Sequence, residues 1–252
     1  MTNTTNAIHE EMLRINTFEC DINQNWKPAA FFQHLTEAAA NHVKKLGVGF
    51  DALYARNLFW VQSRMKIKFF HMPRMGETIT IRTWPKTIQQ KLFFIRDFEV
   101  LDAGSQLLAA ATSAWLIINA TTRRLVPPLA LNFTLPALND HFGLDEPLDR
   151  LDLAQDGEER LRLRAGYSSV DIVGHVNNSR YVEWVCDAFP TEMFRQHKLD
   201  WMQINYDHEI LPGEEVSMLV NPVEQDDGLW AVEGFNRSSN THAFEAALRW
   251  QD

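Results

Sequence analysis

The segment Ser168-Ser169-Val170-Asp171-Ile172-Val173-Gly174-His175-Val176-Asn177-Asn178-Ser179-Arg180-Tyr181 is the densest polar stretch of the chain. It supplies a carboxylate, an imidazole and two amides directly before a run of helical periodicity. Backbone N–H groups and the positive dipole end at such a helix start favour a developing oxyanion, so the arrangement suits acyl transfer. A helix-capping turn is the competing reading, because Asn178 and Ser179 are good N-cap residues and Asp is common near a helix start. Local sequence leaves both open. A second carboxylate emerges from a comparison within the chain. Tyr206-x-x-Glu209-x-x-x-Gly213-Glu214-x-Val216 repeats the spacing of Phe69-x-x-Met72-x-x-x-Gly76-Glu77-x-Ile79. Glu209, read as lying on a strand, would ordinarily be a surface group; its replacement by Met72 in the other copy marks it for chemistry instead.

The elements that must position these groups follow from periodicity. Residues 27–46 place Phe31, Phe32, Leu35, Ala38, Ala39, His42, Val43 and Leu46 at three- and four-residue steps, with Pro28 near the start and Gly47 past the end, which predicts a helix. Residues 58–70 alternate, with Met65, Ile67 and Phe69 on one side, and further strands are expected at 77–84, 91–101 and 107–119. Residues 126–150, with Pro127, Pro128, Pro136 and Pro147 and no sustained period, read as the linker region. The pattern then returns: a strand at 159–165, a polar turn, a helix near 179–188, and strands at 201–209, 214–222, 229–236 and 242–250. Asp21-Ile22-Asn23 precedes the first helix as Asp171-Ile172-Val173 precedes the second, but nothing near Trp26 matches His175. The chain contains its architecture twice, and the ionisable cluster is expected once.

Composition bounds the rest. The 252 residues carry 24 Lys+Arg against 33 Asp+Glu, a net charge of −9, with 45% hydrophobic and 23% charged residues. This is a globular composition, and the length allows one large domain or two small ones. The acidic balance argues against general nucleic-acid binding. Two cysteines, Cys20 and Cys186, exclude a disulfide scaffold and a Cys-rich zinc site. No H-E-x-x-H or comparable spacing occurs, so no metal and no cofactor is expected. His34 and His42 on the first helix, and His71 and His208 at equivalent repeat positions, read as structural. No run approaches the roughly 18 apolar residues of a membrane span. The start, MTNTTNAIHEEM, lacks the pattern of a signal peptide, so an unexported cytoplasmic protein is expected.

Asp171-x-x-x-His175-Val176-Asn177-Asn178-x-x-Tyr181 resembles the D-x-N-x-H-V-N-N-x-x-Y segment of the acyl-ACP thioesterases, enzymes with tandem hotdog domains. Residues 57–65, Asn-Leu-Phe-Trp-Val-Gln-Ser-Arg-Met, resemble that family's N-L-x-W-V-x-x-R-M strand, and Gly76-Glu77 through Thr83-Trp84 its next strand. Trp115 to Leu125 are similar to its W-x-x-M-N-x-x-T-R-R-L. Together these matches cover most of residues 15–215, in order.

The resemblance implies an α+β double hotdog, two antiparallel sheets each wrapped around a central helix. The N-terminal hotdog would span 1–130, a linker 131–150 and the catalytic hotdog 151–252. It implies a catalytic set of Asp171, His175 and Glu209, site shaping by Val173, Gly174, Asn177 and Asn178, and backbone N–H groups around Gly174 and residues 177–180 as the oxyanion site. Glu209 is the favoured general base, His175 orients the water or Glu209, and Asp171 fixes the His tautomer or attacks the carbonyl itself. Two positions depart: Val173 stands in place of an Asn, and Ile210 in place of a Cys. A thiol nucleophile is disfavoured, since Cys186 lies on the predicted helix and Cys20 in the half without a matching His. The first half is expected to line an acyl pocket, with Phe31, Phe32, Trp60, Met65 and Phe94 as candidates. The implied reaction is hydrolysis of fatty acyl thioesters of acyl carrier protein, ending fatty acid synthesis. The acidic carrier would dock on basic residues such as Lys44-Lys45, Arg123-Arg124 or Arg160/Arg162/Arg164. An acyl-CoA thioesterase, a non-catalytic acyl-thioester-binding hotdog and a homodimeric assembly remain open.

Overall fold

The computed structural model describes residues 7–152, 157–224 and 226–251. Contacts divide the chain into two compact units. One comprises Met1–Cys20, Gln24–Trp26 and His34–Leu148, and the other Asp21–Asn23, Lys27–Gln33 and Asp149–Asp252, each over its described residues.

The first unit holds strands β1 (His9–Arg14), β2 (Leu58–Phe69), β3 (Thr78–Gln89), β4 (Phe93–Asp102) and β5 (Leu107–Asn119), ordered β1-β3-β4-β5-β2 and antiparallel at the paired neighbours. Helix α1 (Pro28–Lys45) runs through the stretch expected from periodicity. Its buried face meets the strands through polar as well as apolar groups. Thr36 Oγ1 donates to Gln62 Oε1 (3.5 Å), Asn41 Nδ2 to Glu11 Oε1 (2.9 Å), and Arg96 Nη1 to His42 Nδ1 (3.0 Å). Burial lowers the Arg96 guanidinium to about 9. A short helix α2 (Phe50–Tyr54) follows.

In the second unit, β6 (Glu158–Arg164), β7 (Lys198–Tyr206), β8 (Glu215–Pro222), β9 (Leu229–Asn236) and β10 (Thr241–Gln251) are ordered β6-β8-β9-β10-β7. That is the same order as in the first unit when β6 takes the place of β1 and β7 that of β2. Helices α3 (Asn178–Asp187) and α4 (Thr191–Gln196) precede β7. The correspondence reaches single hydrogen bonds. Gly76 N–H donates to the Ile15 carbonyl (3.0 Å) and Gly213 N–H to the Ala165 carbonyl (2.8 Å). Arg14 Nε donates to the Gly76 carbonyl (3.1 Å) and Arg164 Nε to the Gly213 carbonyl (2.9 Å).

Residues 131–148, expected as a linker, cluster with the first unit. Leu144 and Leu148 are buried, and Leu148 packs on Ile95 and Ala114. A buried carboxylate pins this strap. Asp97 Oδ2 accepts from Gly143 N–H (2.8 Å) and lies 2.9 Å from Lys86 Nζ, while Asp97 Oδ1 accepts from Thr112 Oγ1 (2.7 Å). Lys86 also donates to the Leu144 carbonyl (3.2 Å), and Trp84 Nε1 to the His141 carbonyl (3.1 Å). At Gly143 an added Cβ would lie 2.8 Å from the Phe98 carbonyl oxygen, so only glycine brings the strap this close.

Burial pushes the Asp97 carboxyl up, against the hydrogen bonds from Lys86, Gly143 and Thr112 that favour its charge. Removing the charge leaves Lys86 buried without its counter-ion. Asp97→Asn is therefore expected to lower stability by about 3 kcal/mol, read by urea denaturation, and to speed amide exchange across 138–144. An unchanged midpoint with an unchanged exchange pattern would show that the strap is held by other means.

Candidate active site

The loop before α3 is built around Asp171. A single 3₁₀ turn, Tyr167–Ser169, leads into an antiparallel bridge between Val170 and Val176. Asp171 N–H donates to the His175 carbonyl (3.0 Å), and Gly174 N–H returns to the Asp171 carbonyl (3.1 Å). Gly174 sits at φ +89°, in the left-handed region that favours glycine. Asp171 Oδ1 accepts from Val173 N–H (2.9 Å), the side-chain-to-backbone bond of an Asx turn. The carboxylate is thereby fixed, with Oδ1 3.8 Å from His175 Nδ1. That separation is an ion-pair distance for a protonated ring and too long for a hydrogen bond.

Both local readings of this segment hold part of the answer. The cap of α3 is Asn177, not Asn178 or Ser179. Asn177 Oδ1 accepts from Ser179 N–H (3.0 Å) and Ser179 Oγ (2.7 Å), while its Nδ2 points to Asp171 Oδ2 at 3.5 Å. The expected oxyanion donors are engaged inside the loop. Gly174 N–H is held by Asp171, Asn177 N–H donates to the Ser169 carbonyl (2.9 Å), and Arg180 N–H to the Asn177 carbonyl (2.9 Å). Val173 is 46% exposed and Ile172 92%, so the side chain at 173 faces solvent.

Glu209 is exposed and lies beyond the end of β7, in the 207–212 connection, rather than on the strand as expected. The strand ends there because the backbone turns to other partners. Asp207 and His208 N–H both donate to the Ala243 carbonyl (2.9 Å each), opposite a register shift between His242 and Phe244. Next to Glu209, the Ile210 carbonyl accepts from Val176 N–H (2.9 Å), and Ile210 N–H donates to Tyr181 Oη (3.2 Å). The residues after His175 and after Glu209 are thus joined by one backbone hydrogen bond, which brings the two loops together. The Ile210 side chain is 0% exposed, so this position presents its backbone to the site and its side chain to the core.

Tyr181, part of the quoted motif but given no role from sequence, is buried against Trp184, Tyr206 and Phe244, with ring centroids 5.5, 5.7 and 4.8 Å away. Burial, then the charges of Glu209, Asp171 and Glu214, push its phenol far up, so it stays neutral. The signal available for it in the sequence is its place one helical turn after Asn177.

The first half repeats the loop with other side chains. Asn23 N–H donates to Asp21 Oδ1 (2.8 Å), Cys20 bridges Trp26, and Trp26 N–H donates to the Pro73 carbonyl (2.8 Å), as Val176 does to Ile210. Asn25 stands at the place of His175. An acid–imidazole contact does occur in this half, contrary to expectation, but elsewhere. His34 Nε2 lies 2.5 Å from Glu19 Oε1, and Glu19 Oε2 accepts from Asn16 N–H (3.1 Å) and Nδ2 (3.0 Å). Burial raises the Glu19 carboxyl, yet these bonds outweigh it and hold the group below its usual range. Its oxygens close a turn.

Cys186 is far from thiolate: burial, then Asp187 and Glu183, push its thiol up. Among the described residues no three of His, Cys, Asp and Glu converge as a metal-holding group, and no helix is long and apolar enough to cross a membrane. Of the acyl-pocket candidates, Trp60 and Phe94 meet edge to face (5.0 Å) beside Val48, Leu53 and Ile117. Met65 is buried, its Sδ accepting from Gln62 Nε2 (3.3 Å). Phe31 and Phe32 are buried on the part of α1 that groups with the second unit.

Comparison with known proteins identifies the family. Residues 6–128 match the family model of the acyl-ACP thioesterase N-terminal domain, and residues 153–252 that of the C-terminal domain. The chain is 27% identical over 215 residues to a chloroplastic palmitoyl-acyl carrier protein thioesterase of Cuphea hookeriana, covering 80% of this chain and 52% of that protein. It is 26% identical over 262 residues to a chloroplastic oleoyl-acyl carrier protein thioesterase of Coriandrum sativum, covering 96% and 71%. A solved acyl-ACP thioesterase from Bacteroides thetaiotaomicron superposes with a TM-score of 0.85 at 25% identity, over 100% of both chains. The chain spans about half the length of the first curated relatives it matches. Two family domains matched in order, on a duplicated fold whose second half alone places Asp171, His175 and Glu209 on adjoining loops, show that the chain belongs to the acyl-ACP thioesterase family.

Proposed function

We propose that this chain hydrolyses fatty acyl thioesters of acyl carrier protein. The observation that carries the reading is the Val176–Ile210 hydrogen bond, which makes neighbours of the loop holding Asp171 and His175 and the loop holding Glu209. In this reading each unit is a hotdog, a sheet wrapped around its helix. The first half shapes the acyl pocket, with Trp60, Phe94 and Met65 as candidate lining, and the second half performs the chemistry.

Asp171, fixed by Val173 N–H, lies 3.8 Å from His175 Nδ1; closing that gap on substrate binding would hold the ring proton on Nδ1 and leave Nε2 as an acceptor. A water then donates one hydrogen to Nε2 and the other to Glu209. As its oxygen bonds to the thioester carbon, Glu209 takes the proton, and the carbonyl oxygen becomes an oxyanion facing the positive end of α3. Collapse breaks the C–S bond. The thiolate, with a parent pKa of about 8.5, leaves without a strong acid and takes up the proton from Glu209. Because the N–H groups of Gly174 and Asn177 are engaged in the loop, the helix dipole takes over their expected role at the oxyanion. A second reading, an acyl-thioester-binding protein without turnover, is favoured by the apolar side chain at 173 and the 3.8 Å separation of Asp171 and His175.

Docking of the acidic carrier rests on charge. The β6 arginines are largely claimed: Arg160 by Glu158 and the Trp230 ring, Arg162 by Glu159, and Arg164 by the Gly213 carbonyl. Lys44 and Arg124 are exposed and carry the proposal instead, beside Arg123, which lies over the Phe59 ring (5.5 Å).

With acyl-ACP as substrate, Glu209→Gln is expected to lower kcat by roughly 10²–10⁴-fold, while Cys20→Ala and Cys186→Ala keep the wild-type rate. Absence of turnover by the wild type across a panel of acyl-ACP and acyl-CoA chain lengths would leave the binding reading standing. Raising ionic strength from about 0.05 to 0.5 M should raise KM for acyl-ACP several-fold by screening the carrier's charge. A flat KM would remove electrostatic docking.

A further inference from the structure

We infer that Tyr181 is the positioning residue for Glu209: its hydroxyl holds the peptide that joins Glu209 to Ile210 and so sets the direction in which the carboxylate projects. This deepens the hydrolase reading above and rests on it.

Residues 207–212 leave the ladder after Tyr206, so no sheet pairing fixes them. Backbone anchors flank Glu209 on both sides. Before it, Asp207 and His208 N–H share the Ala243 carbonyl; after it, Leu211 N–H donates to Glu214 Oε2 (2.7 Å). The peptide plane attached directly to the Glu209 α-carbon on its C-terminal side carries the Ile210 N–H, and that N–H ends on Tyr181 Oη at 3.2 Å. Val176 grips the next plane along, through the Ile210 carbonyl. Were the first plane released, rotation about the Glu209 backbone would change the direction of the carboxylate while the Val176 bond stayed intact.

Tyr181 is suited to this task because it cannot itself move. It lies in the first turns of α3, the helix capped by Asn177, and its ring is enclosed by Trp184, Tyr206 and Phe244. One rigid helix therefore carries at its cap a contact to Asp171 and, four residues on, the acceptor that aims Glu209. Tyr206 provides an internal control. It is a second, half-buried tyrosine of the same cluster, whose hydroxyl donates to the Asn178 carbonyl (3.2 Å) and makes its bond to α3 rather than to the Glu209 connection.

The test compares Tyr181→Phe, Tyr206→Phe and Glu209→Gln in the full chain, by acyl-ACP kinetics and by amide exchange at Ile210. Tyr181→Phe is expected to lower kcat by about tenfold or more through misplacement of the base, with KM within about twofold and faster exchange at the Ile210 amide. Tyr206→Phe should keep kcat and Ile210 protection even where its melting temperature falls as far. Wild-type kcat in Tyr181→Phe, or equal kcat losses in both tyrosine variants, would overturn the inference. If only Glu209→Gln loses activity, the hydrolase reading survives and Tyr181 is merely structural; if Glu209→Gln is fully active, the base assignment fails and the inference with it. Should Tyr181→Phe not fold, an ester in place of the Glu209–Ile210 peptide deletes the same hydrogen bond from the other side. It must reproduce the kcat loss, and full activity there would equally defeat the inference.

Discussion

One peptide bond region ties the two loops of the proposed site together. Ile210 gives its carbonyl to Val176, next to His175, and its N–H to Tyr181, on the helix that follows the Asp171 loop. Neither loop is part of a sheet ladder, and this bond adds a link between them to the anchors that each has of its own. A backbone hydrogen bond between buried partners contributes only about 1 kcal/mol net, but leaving either group unpaired costs more. The pairing is therefore kept for its geometry as much as for its strength. The buried side chain of Ile210 belongs to the same device: it seats the backbone from below while the polar groups face the site.

The two halves share a scaffold and differ in the side chains it carries. The strand order, the glycine turns at 76 and 213, the arginines that reach their carbonyls and the Asx turns at Asp21 and Asp171 are common to both. What differs is side chains on an otherwise equivalent backbone. Met72 replaces Glu209, Asn25 replaces His175, and Gln24 takes a left-handed conformation, as Gly174 does. The amide at position 23 of the first loop has Val173 as its counterpart in the second. In the first loop Asn23 Nδ2 donates to the Phe194 carbonyl (2.7 Å), so an amide at this position can serve packing.

Periodicity reveals most of the elements because amphipathic burial governs them. Helix α1 and strands β2, β4, β5 and β9 lie within a residue or two of their expected limits. Strand β3 runs five residues past the expected end at Trp84, and the structure carries Pro85 inside it through a register shift between Pro85 and Thr87. Strand β1, HEEMLR, is invisible to such patterns: a charged edge strand has one half-buried face and little apolar alternation. The short helices α2 and α4 and the packed strap at 131–148 escape them for a related reason, since tertiary contacts such as those of Asp97 define them. In the site, residue types point to Asp171, His175 and Glu209. The identity of the cap, the engaged N–H of Gly174 and the hydroxyl of Tyr181 depend on three-dimensional hydrogen bonding that no spacing rule encodes.

Glu209 and His175 are held to act on one water at one thioester carbon, and the most direct test is a crystal structure of the Glu209→Gln variant bound to an acyl-pantetheine ketone that cannot be cleaved. A water is expected between the substituted amide at position 209 and His175 Nε2, about 3–3.5 Å from the carbonyl carbon. A carbonyl seated out of reach of both side chains, with no water joining them, would contradict it.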